Sequence, residues 1–511
     1  MKEQRRIKSG FFGKWSVLII LSLAQFIIVI DTSIMNVAIT ALARDLNTDI
    51  QSIQLAIALY SLVMAALLVT GGKIGDIIGM KKTFIIGTAI FGVGTSIAAL
   101  SVNLPMLMIG WSVIEGIAAA LMLPGVFALV LILYEGRERA ISFGVIGAMA
   151  AVGAALGPII GGFLTTYYTW RWAFAMELII VVAILAFSHR LKESEIDKRT
   201  TLDNVGVCLS SVGLACIVFG IVKGITYLIG FGLIILIIFA LWLKRQELKK
   251  KMPLIRLALF KNRQFVSGFL TDGLESLALA GVLFCMPVFL QKGLGYTAFE
   301  TGVALLPLSI AVFVISFATA PLGHKIAPKY LVQVGIIFMA IGAFLIRDVI
   351  SMQVTNMELL PGLAIFGIGL GLMLAQLSNI TLSPVKEEER GEATGVAETT
   401  KALGTSLGTA IIGAVLIMSL FSGLAIGVQQ STVLDDSLKV EITKGLVDNT
   451  KHMEEEAIDN ELLKLPKESI DELEVILDNS FIRAMKFAFD AIILFCILCL
   501  IISFFMPKRK M

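Results

Sequence analysis

The chain has 511 residues, 57% hydrophobic and 16% charged, with a formal net charge of +3 and a mean hydropathy of +0.89. A soluble domain carries about a quarter charged residues, so that class is excluded, and so small a charge gives no reason to expect a nucleic-acid partner. Apolar runs of membrane-spanning length recur from end to end and are continuous rather than alternating, which excludes a membrane β-barrel and predicts an all-α integral membrane protein.

The first apolar run begins at Trp15 and is too long for the core of a cleavable leader, so it is expected to stay as a span. Thirteen more follow, beginning near Ile53, Thr83, Leu104, Ile141, Trp172, Asn204, Tyr227, Phe265, Phe299, Leu331, Glu358, Glu392 and Phe481. The pair near Asn204 and Tyr227 has the shortest turn between its members and is the weakest part of this count. Basic residues test it. With a cytoplasmic N-terminus, the inner segments carry Lys2, Arg5, Arg6 and Lys8, Lys81 and Lys82, Arg137 and Arg139, and the cluster from Arg190 to Arg199. "LKRQELKKKMPLIR", Lys325 and Lys329, and the terminal "PKRK" follow on the same side. The short outer turns hold one basic residue each at most, so both termini are expected to be cytoplasmic and the number of spans even.

Residues 423–480 break the pattern, with fourteen acids against five lysines. They are expected outside the cell. "KHMEEEAIDNELLKL" and "KESIDELEVILDN" place Leu and Ile at helical spacing, so the segment is either a helical hairpin over the outer mouth or a solvated loop.

The chemistry-bearing stretches lie within or beside the spans. "GGKIGDIIGMKK" follows the second run, where Gly72, Gly75 and Gly79 permit a crowded turn. Asp76 is placed to cap or pair with a neighbouring helix end, and Lys81 and Lys82 anchor the membrane face. A weaker echo, "PLGHKIAPKYL", follows the tenth run, and repeated punctuation suggests two related halves. "GAALGPIIGG" holds Gly153, Gly157, Gly161 and Gly162 around Pro158, small residues that let two helix backbones approach closely. The five cysteines all fall in apolar runs and read as small hydrophobes, and the three histidines scatter among loops. No metal cluster, phosphate-binding glycine loop or nucleophile triad is visible, so neither an enzyme, a metal site nor direct ATP drive is expected.

Together these motifs resemble the major facilitator superfamily and, within it, the fourteen-helix drug:proton antiporter family. "VIDTSIMNVAI" resembles that family's first-helix motif, "GGKIGDIIGMKK" its loop motif, and "GAALGPIIGG" with "TWRWAF" its fifth-helix antiporter motif. "PLIRLALFKNRQF" resembles its inter-bundle linker and "GEATGVAETTKALGTSLG" its thirteenth-helix signature. The resemblance implies two six-helix bundles, residues 1–199 and 246–511, flanking two inserted helices over 200–245, with a cytoplasmic linker at 246–264. It implies alternating access in a monomer of the cytoplasmic membrane, with no cofactor. A proton gradient would drive export of hydrophobic, cationic compounds.

This chain departs from the family pattern in its charges. Ser112 and Glu115 stand where an arginine and a glutamine are usual, Glu177 where an asparagine is common, and Glu398 and Lys401 where Asn and Arg are usual. Ala58 replaces an acid found in some members, and Ile77 and Met80 occupy usually basic loop positions. The intramembrane acids are then Asp31, Glu115, Asp272, Glu275 and Glu398, with Asp490 a candidate at the edge, facing one deep cation, Lys401. A carboxyl group out of water is easily left neutral, which suits proton carriage, and one left charged attracts a lipophilic cation. Asp31 and Glu115 are the candidate proton-coupling residues; Glu115, Glu398, Asp272, Glu275, Trp111 and Met122 are candidates for the substrate cavity, beside Phe284 and Met286. Glu398 can also be read as a simple counter-charge to Lys401, and Asp272 with Glu275 as a water-exposed vestibule pair near the cytoplasmic end. Asp490, Glu177 and Arg171 are expected near the outer surface in structural roles. Two other readings remain open: an exporter of a specific metabolite or lipid-like solute, and a non-transporting membrane sensor.

Overall fold

In a computed structural model, residues 11–134, 136–191, 193, 202–249, 253–319, 326–382, 385, 390–436, 439 and 467–506 are described. Among the described residues, thirteen helices are long and apolar enough to cross a membrane, and a bent pair, taken as one span, makes a fourteenth. They are α1 (Phe11–Val37), α2 (Ile50–Ile78), α3 (Met80–Ala99), α4 (Leu104–Val130), α5 (Gly136–Tyr167), α6 (Arg171–Phe187) and α7 (Asn204–Val222). After these come α8 (Thr226–Leu248), α9 (Arg263–Val288), the bent α10 (Ala298–Ala304 and Leu306–Thr319), α11 (Pro328–Val349), α12 (Asn356–Leu382), α13 (Arg390–Gln430) and α14 (Lys467–Ser503).

Local chemistry sets many of the starts. Asp49 accepts from Ser52 N–H at 2.6 Å, Asn103 from Met106 N–H at 2.9 Å and Asn262 from Gln264 and Phe265 N–H, so each caps a helix N-terminus. "TAFE" closes a capping box between Thr297 and Glu300 ahead of α10. The short turn between α7 and α8 is made by Gly224, whose φ of +67° suits only glycine well. Asp203 caps α7 and also accepts from the Trp242 indole of α8 at 3.0 Å, pinning the pair. The weakest pair in the hydropathy count is thus well formed. The irregular span is α10, whose two segments meet at 41°. Pro307 lies at that joint, where it supplies no N–H and its ring excludes a straight ladder.

The helices pack in two groups. Within α1–α6, α1 lies on α5 and α6, α2 on α4, and α3 on α4 and α6. Within α9–α14, α9 lies on α12, α13 and α14, and α11 on α12 and α14. Helices α7 and α8 pair with each other, and α7 also touches α2 and α13.

Glycines permit the closest approaches. Gly153, Gly157 and Gly161 form a stripe four residues apart on α5, facing Ile30, Ser33 and Ile34 of α1, and a Cβ on Gly157 would overlap the Ser33 side chain. Ser33 Oγ donates to the Ala154 carbonyl at 3.3 Å across this seam. Gly157→Val is expected to cost about 1–3 kcal/mol through overpacking. The purified protein should show a lower thermal midpoint, whereas Gly147→Ala, on the same helix with nothing within 4 Å, should not.

The two groups meet along α2–α13 and α5–α10. At the end of the molecule where α1 finishes, Gln291 donates to the Val37 carbonyl at 2.7 Å and accepts from Thr40. Phe299 N–H donates to Thr166 Oγ1 at 2.9 Å, and Gln54 donates to the Thr409 carbonyl at 2.8 Å. Gly162 abuts the Ala298 backbone while Gly302 abuts that of Pro158. The "GAALGPIIGG" motif therefore works on both sides, seating α1 on one face and α10 on the other.

Helices α13 and α14 run beyond their apolar cores. Gly423 faces Ser480, Gly427 faces Ile476, and Ser431 Oγ donates to Glu472 at 2.8 Å. Val428, Leu434 and Ile476 form a small core of their own with Leu424 and Leu473. The flanks of the 423–480 segment are thus a helical pair rather than a loop; "KHMEEEAIDNELLKL" lies outside the described residues.

Candidate functional site

Asp31 sits in the last third of α1, Glu115 in α4 and Glu177 in α6, and all are fully buried. One carboxylate oxygen of each lies within 4.8 Å of the other two. Local structure brings them there. Met108–Glu115 of α4 is a π-helical stretch, a wider turn that occurs mostly as short insertions at functional sites. Gly94 of α3 sits against the Gly110 carbonyl and the Glu115 side chain, so the two helices touch where the stretch ends. The Trp111 indole donates to Asp31 Oδ2 at 2.9 Å, stacks on Tyr60 at 5.8 Å and meets Phe174 edge-on at 6.4 Å. Ser112 donates to the Ala56 carbonyl at 2.8 Å.

Electrostatics limit what this cluster can be. Two carboxylates 4.8 Å apart repel by about 3–4 kcal/mol even at an effective dielectric of about 20. None of the three has a cationic side chain within ion-pair distance among the described residues. Three simultaneous negative charges are therefore strongly disfavoured, and the arrangement suits protons or a cation held among the three. Asp31 Oδ1 and both oxygens of Glu115 and Glu177 have no hydrogen-bond partner. Trp111→Phe keeps the ring but removes the donor to Asp31. The cost should be about 1–3 kcal/mol, read as a lower thermal midpoint with the helical signal intact.

A second acidic cluster joins α9 and α13. Lys401 Nζ lies 3.6 Å from Asp272 Oδ1 and 3.3 Å from Glu398 Oε1. Glu275, one turn beyond Asp272, accepts from its neighbour Ser276 at 3.3 Å. Gly273 and Gly404 let the two helices meet here, with Gly404 against the Gly273 backbone. The vestibule expectation for Asp272 and Glu275 is corrected: they are 2% and 3% exposed, because α13 and α14 close over them. Lys401 serves two carboxylates rather than Glu398 alone.

Glu177 is the residue that sequence reasoning missed. It was expected near the outer surface, but it is fully buried and completes the Asp31–Glu115 cluster. Its signal was available: it sits in the apolar run "AFAMELIIVV", as exposed to the intramembrane argument as Glu115. Arg171 does lie at the α6 start, 3.6 Å from Asp45 and donating to the Ser101 carbonyl at 2.8 Å. Asp490 pairs with Arg347 at 2.8 Å on a part-exposed face.

Of the proposed cavity residues, Trp111 is a fully buried partner of Asp31, and Met122 packs against Gly87 of α3. Phe284 and Met286 are fully buried in α9. In the loop motif, Gly79 joins α2 to α3 with φ +105°. Gly75 abuts Met80, Gly72 approaches Pro124, Asp76 lies in the last turn of α2, and Lys82 is exposed. The Lys81 N–H donates to Glu193 Oε1 at 3.1 Å.

Two packed groups of spanning helices beside the α7–α8 pair, with acids buried inside each group, define a polytopic membrane carrier. The sequence description of the Major Facilitator Superfamily matches residues 21–409, and the chain belongs to that superfamily. It is 31% identical to a probable actinorhodin transporter of Streptomyces coelicolor over 83% of this chain and 75% of that protein. It is 26% identical to a multidrug efflux pump of Mycolicibacterium smegmatis over 78% of this chain and 80% of that one. Among solved structures, a bacterial homologue of the human lysosomal transporter Spinster superposes with a TM-score of 0.64 at 13% identity, covering 97% of both chains. That likeness speaks to fold alone.

Proposed function

We propose that the protein exports small hydrophobic, cationic compounds across the cytoplasmic membrane in exchange for protons, by alternating access. The observation that carries this reading is the Asp31–Glu115–Glu177 cluster, three mutually adjacent buried carboxyls without a cationic partner among the described residues. Membership of the superfamily and relatives named for efflux and antibiotic transport support it. Protons entering from outside would occupy Asp31 and its neighbours, and their loss inside would restore negative charge that favours a lipophilic cation. Asp272, Glu275, Glu398 and Lys401 would form a second polar patch in the opposite bundle, and Trp111 and Met122 would shape the first bundle's wall.

The bundle assignment is 1–199 and 246–511 around an inserted pair at 200–245, which the helix packing supports. The distribution of lysine and arginine supports a cytoplasmic placement of both termini. The protein would act as a monomer, and the proton gradient would take the place of a cofactor. An exporter of one specific metabolite is a second reading, favoured by Ser112 at the usual arginine position and by the actinorhodin relative.

The test is accumulation of a panel of lipophilic cations by proteoliposomes whose lumen is more acidic than the bath. Gradient-dependent uptake of several of them supports multidrug export. Uptake of none by folded protein overturns it and directs the search to neutral or anionic metabolites.

A further inference from the structure

We propose that Asp31, Glu115 and Glu177 form a binding site for a hard, calcium-sized inorganic cation. The donor set is entirely oxygen, which suits Ca²⁺ or Na⁺ and disfavours softer metals. One oxygen from each residue lies within 4.8 Å of the others. A calcium ion holds oxygens at about 2.3–2.6 Å, so oxygens on its opposite sides stand about 4.6–5.2 Å apart. The three carboxylates are therefore already spaced to touch one such ion.

Two further side chains, neither of them acidic, point to the same ligand. Tyr60 OH and Thr95 Oγ1 are fully buried and close no hydrogen bond of standard geometry, although each lies within reach of a carboxyl of the cluster. Tyr60 interacts with Asp31 and Thr95 with Glu115 at the cluster's edge. A buried hydroxyl without a well-made hydrogen bond costs up to about 1–3 kcal/mol, and two such hydroxyls beside three unsatisfied carboxyls suit a shared partner. With Asp31 Oδ1 and both oxygens of Glu115 and Glu177, these residues carry seven buried oxygens, and one from each acid converges within 4.8 Å; Ca²⁺ takes about six to eight. Trp111 already occupies Asp31 Oδ2 and fixes that carboxylate in place.

Charge balance agrees. The acids of the other bundle have Lys401, whereas this cluster has Ser112 where the family resemblance leads one to expect an arginine. A divalent ion with one proton, or a monovalent ion with two, would neutralise three carboxyls. Complete burial means the ion is occluded here and would enter when the bundles reorganise.

The inference shares a site with the export reading but does not rest on transport. Full-length protein would be purified in detergent, stripped with chelator and equilibrated with ⁴⁵Ca²⁺ or ²²Na⁺. We expect about one ion retained per chain in the wild type, at least tenfold weaker binding in Glu177→Gln and Glu115→Gln, a graded loss in Tyr60→Phe, and none in the remote Asp490→Asn. Competition between the two ions assigns the charge. Trp111 emission should shift on ion addition, and this shift should be lost in Glu177→Gln. No retention of either ion by folded wild type would overturn the proposal, as would retention unchanged in both glutamine variants and in Tyr60→Phe. Ion binding without any cation uptake into proteoliposomes would refute the export reading alone.

Discussion

Lys401→Met is expected to lower stability by about 3–5 kcal/mol, the range for removing one partner from a buried ion pair. Lys401 lies within 3.6 Å of two carboxylates, of which the Asp272 side chain is 3% exposed and the Glu398 side chain 22%. Removing the ammonium leaves Asp272 with no other ion-pair partner among the described residues and Glu275 beside it. Methionine keeps most of the volume, so the loss is electrostatic rather than a cavity. Thermal unfolding of the purified protein reads it directly. Asp272→Asn in the same background should restore much of the loss, whereas Asp490→Asn should not, since Asp490 belongs to the Arg347 pair. Arg347→Ala, at a part-exposed pair, should change stability by about 1 kcal/mol or less.

Asp31→Asn is expected to cut gradient-driven uptake of lipophilic cations by at least about tenfold, or about 1.4 kcal/mol of lost coupling. Asparagine occupies the same space and still accepts from Trp111, so helix packing should hold. What disappears is a group that can alternate between neutral and charged forms. Glu115→Gln and Glu177→Gln should act in the same direction, because the three share one electrostatic environment. Their double substitutions should be markedly less than additive if they operate as one unit. Downhill exchange without a gradient should survive better than gradient-driven accumulation, which separates lost coupling from lost folding.

Much of the fold was legible because the bilayer demands it: a span needs about twenty apolar residues. Most helix starts fall within a few residues of the hydropathy reading, with caps such as Asn103 and Asn262 marking them. Hydropathy failed where helix continued into water. The α13 helix runs to Gln430 and α14 begins at Lys467 rather than near Phe481. There, the apolar side chains are spaced to fill a small local seam, Val428 with Ile476, and the rest is polar.

The sites were legible residue by residue but not as constellations. An acid in an apolar run is visible at Asp31, Glu115 and Asp272, yet nothing local says that positions 31, 115 and 177 converge. That depends on α1 packing against α4 and α6, while α3 closes on α4 through Gly94 and Gly110, a tertiary fact. Glu177 was expected near the outer surface beside Arg171, whereas α6 carries it inward from its Arg171 start into the buried cluster. The fate of Asp272 and Glu275 likewise depended on α13 and α14 closing over α9.

Simultaneous recording of luminal pH and lipophilic-cation accumulation in the same proteoliposomes tests the central claim most directly. If the buried acids couple the two flows, cation addition should release protons from acid-loaded wild-type vesicles. Asp31→Asn should abolish both signals together. Cation accumulation that continues at the wild-type rate in Asp31→Asn, still accompanied by proton release, would contradict the account.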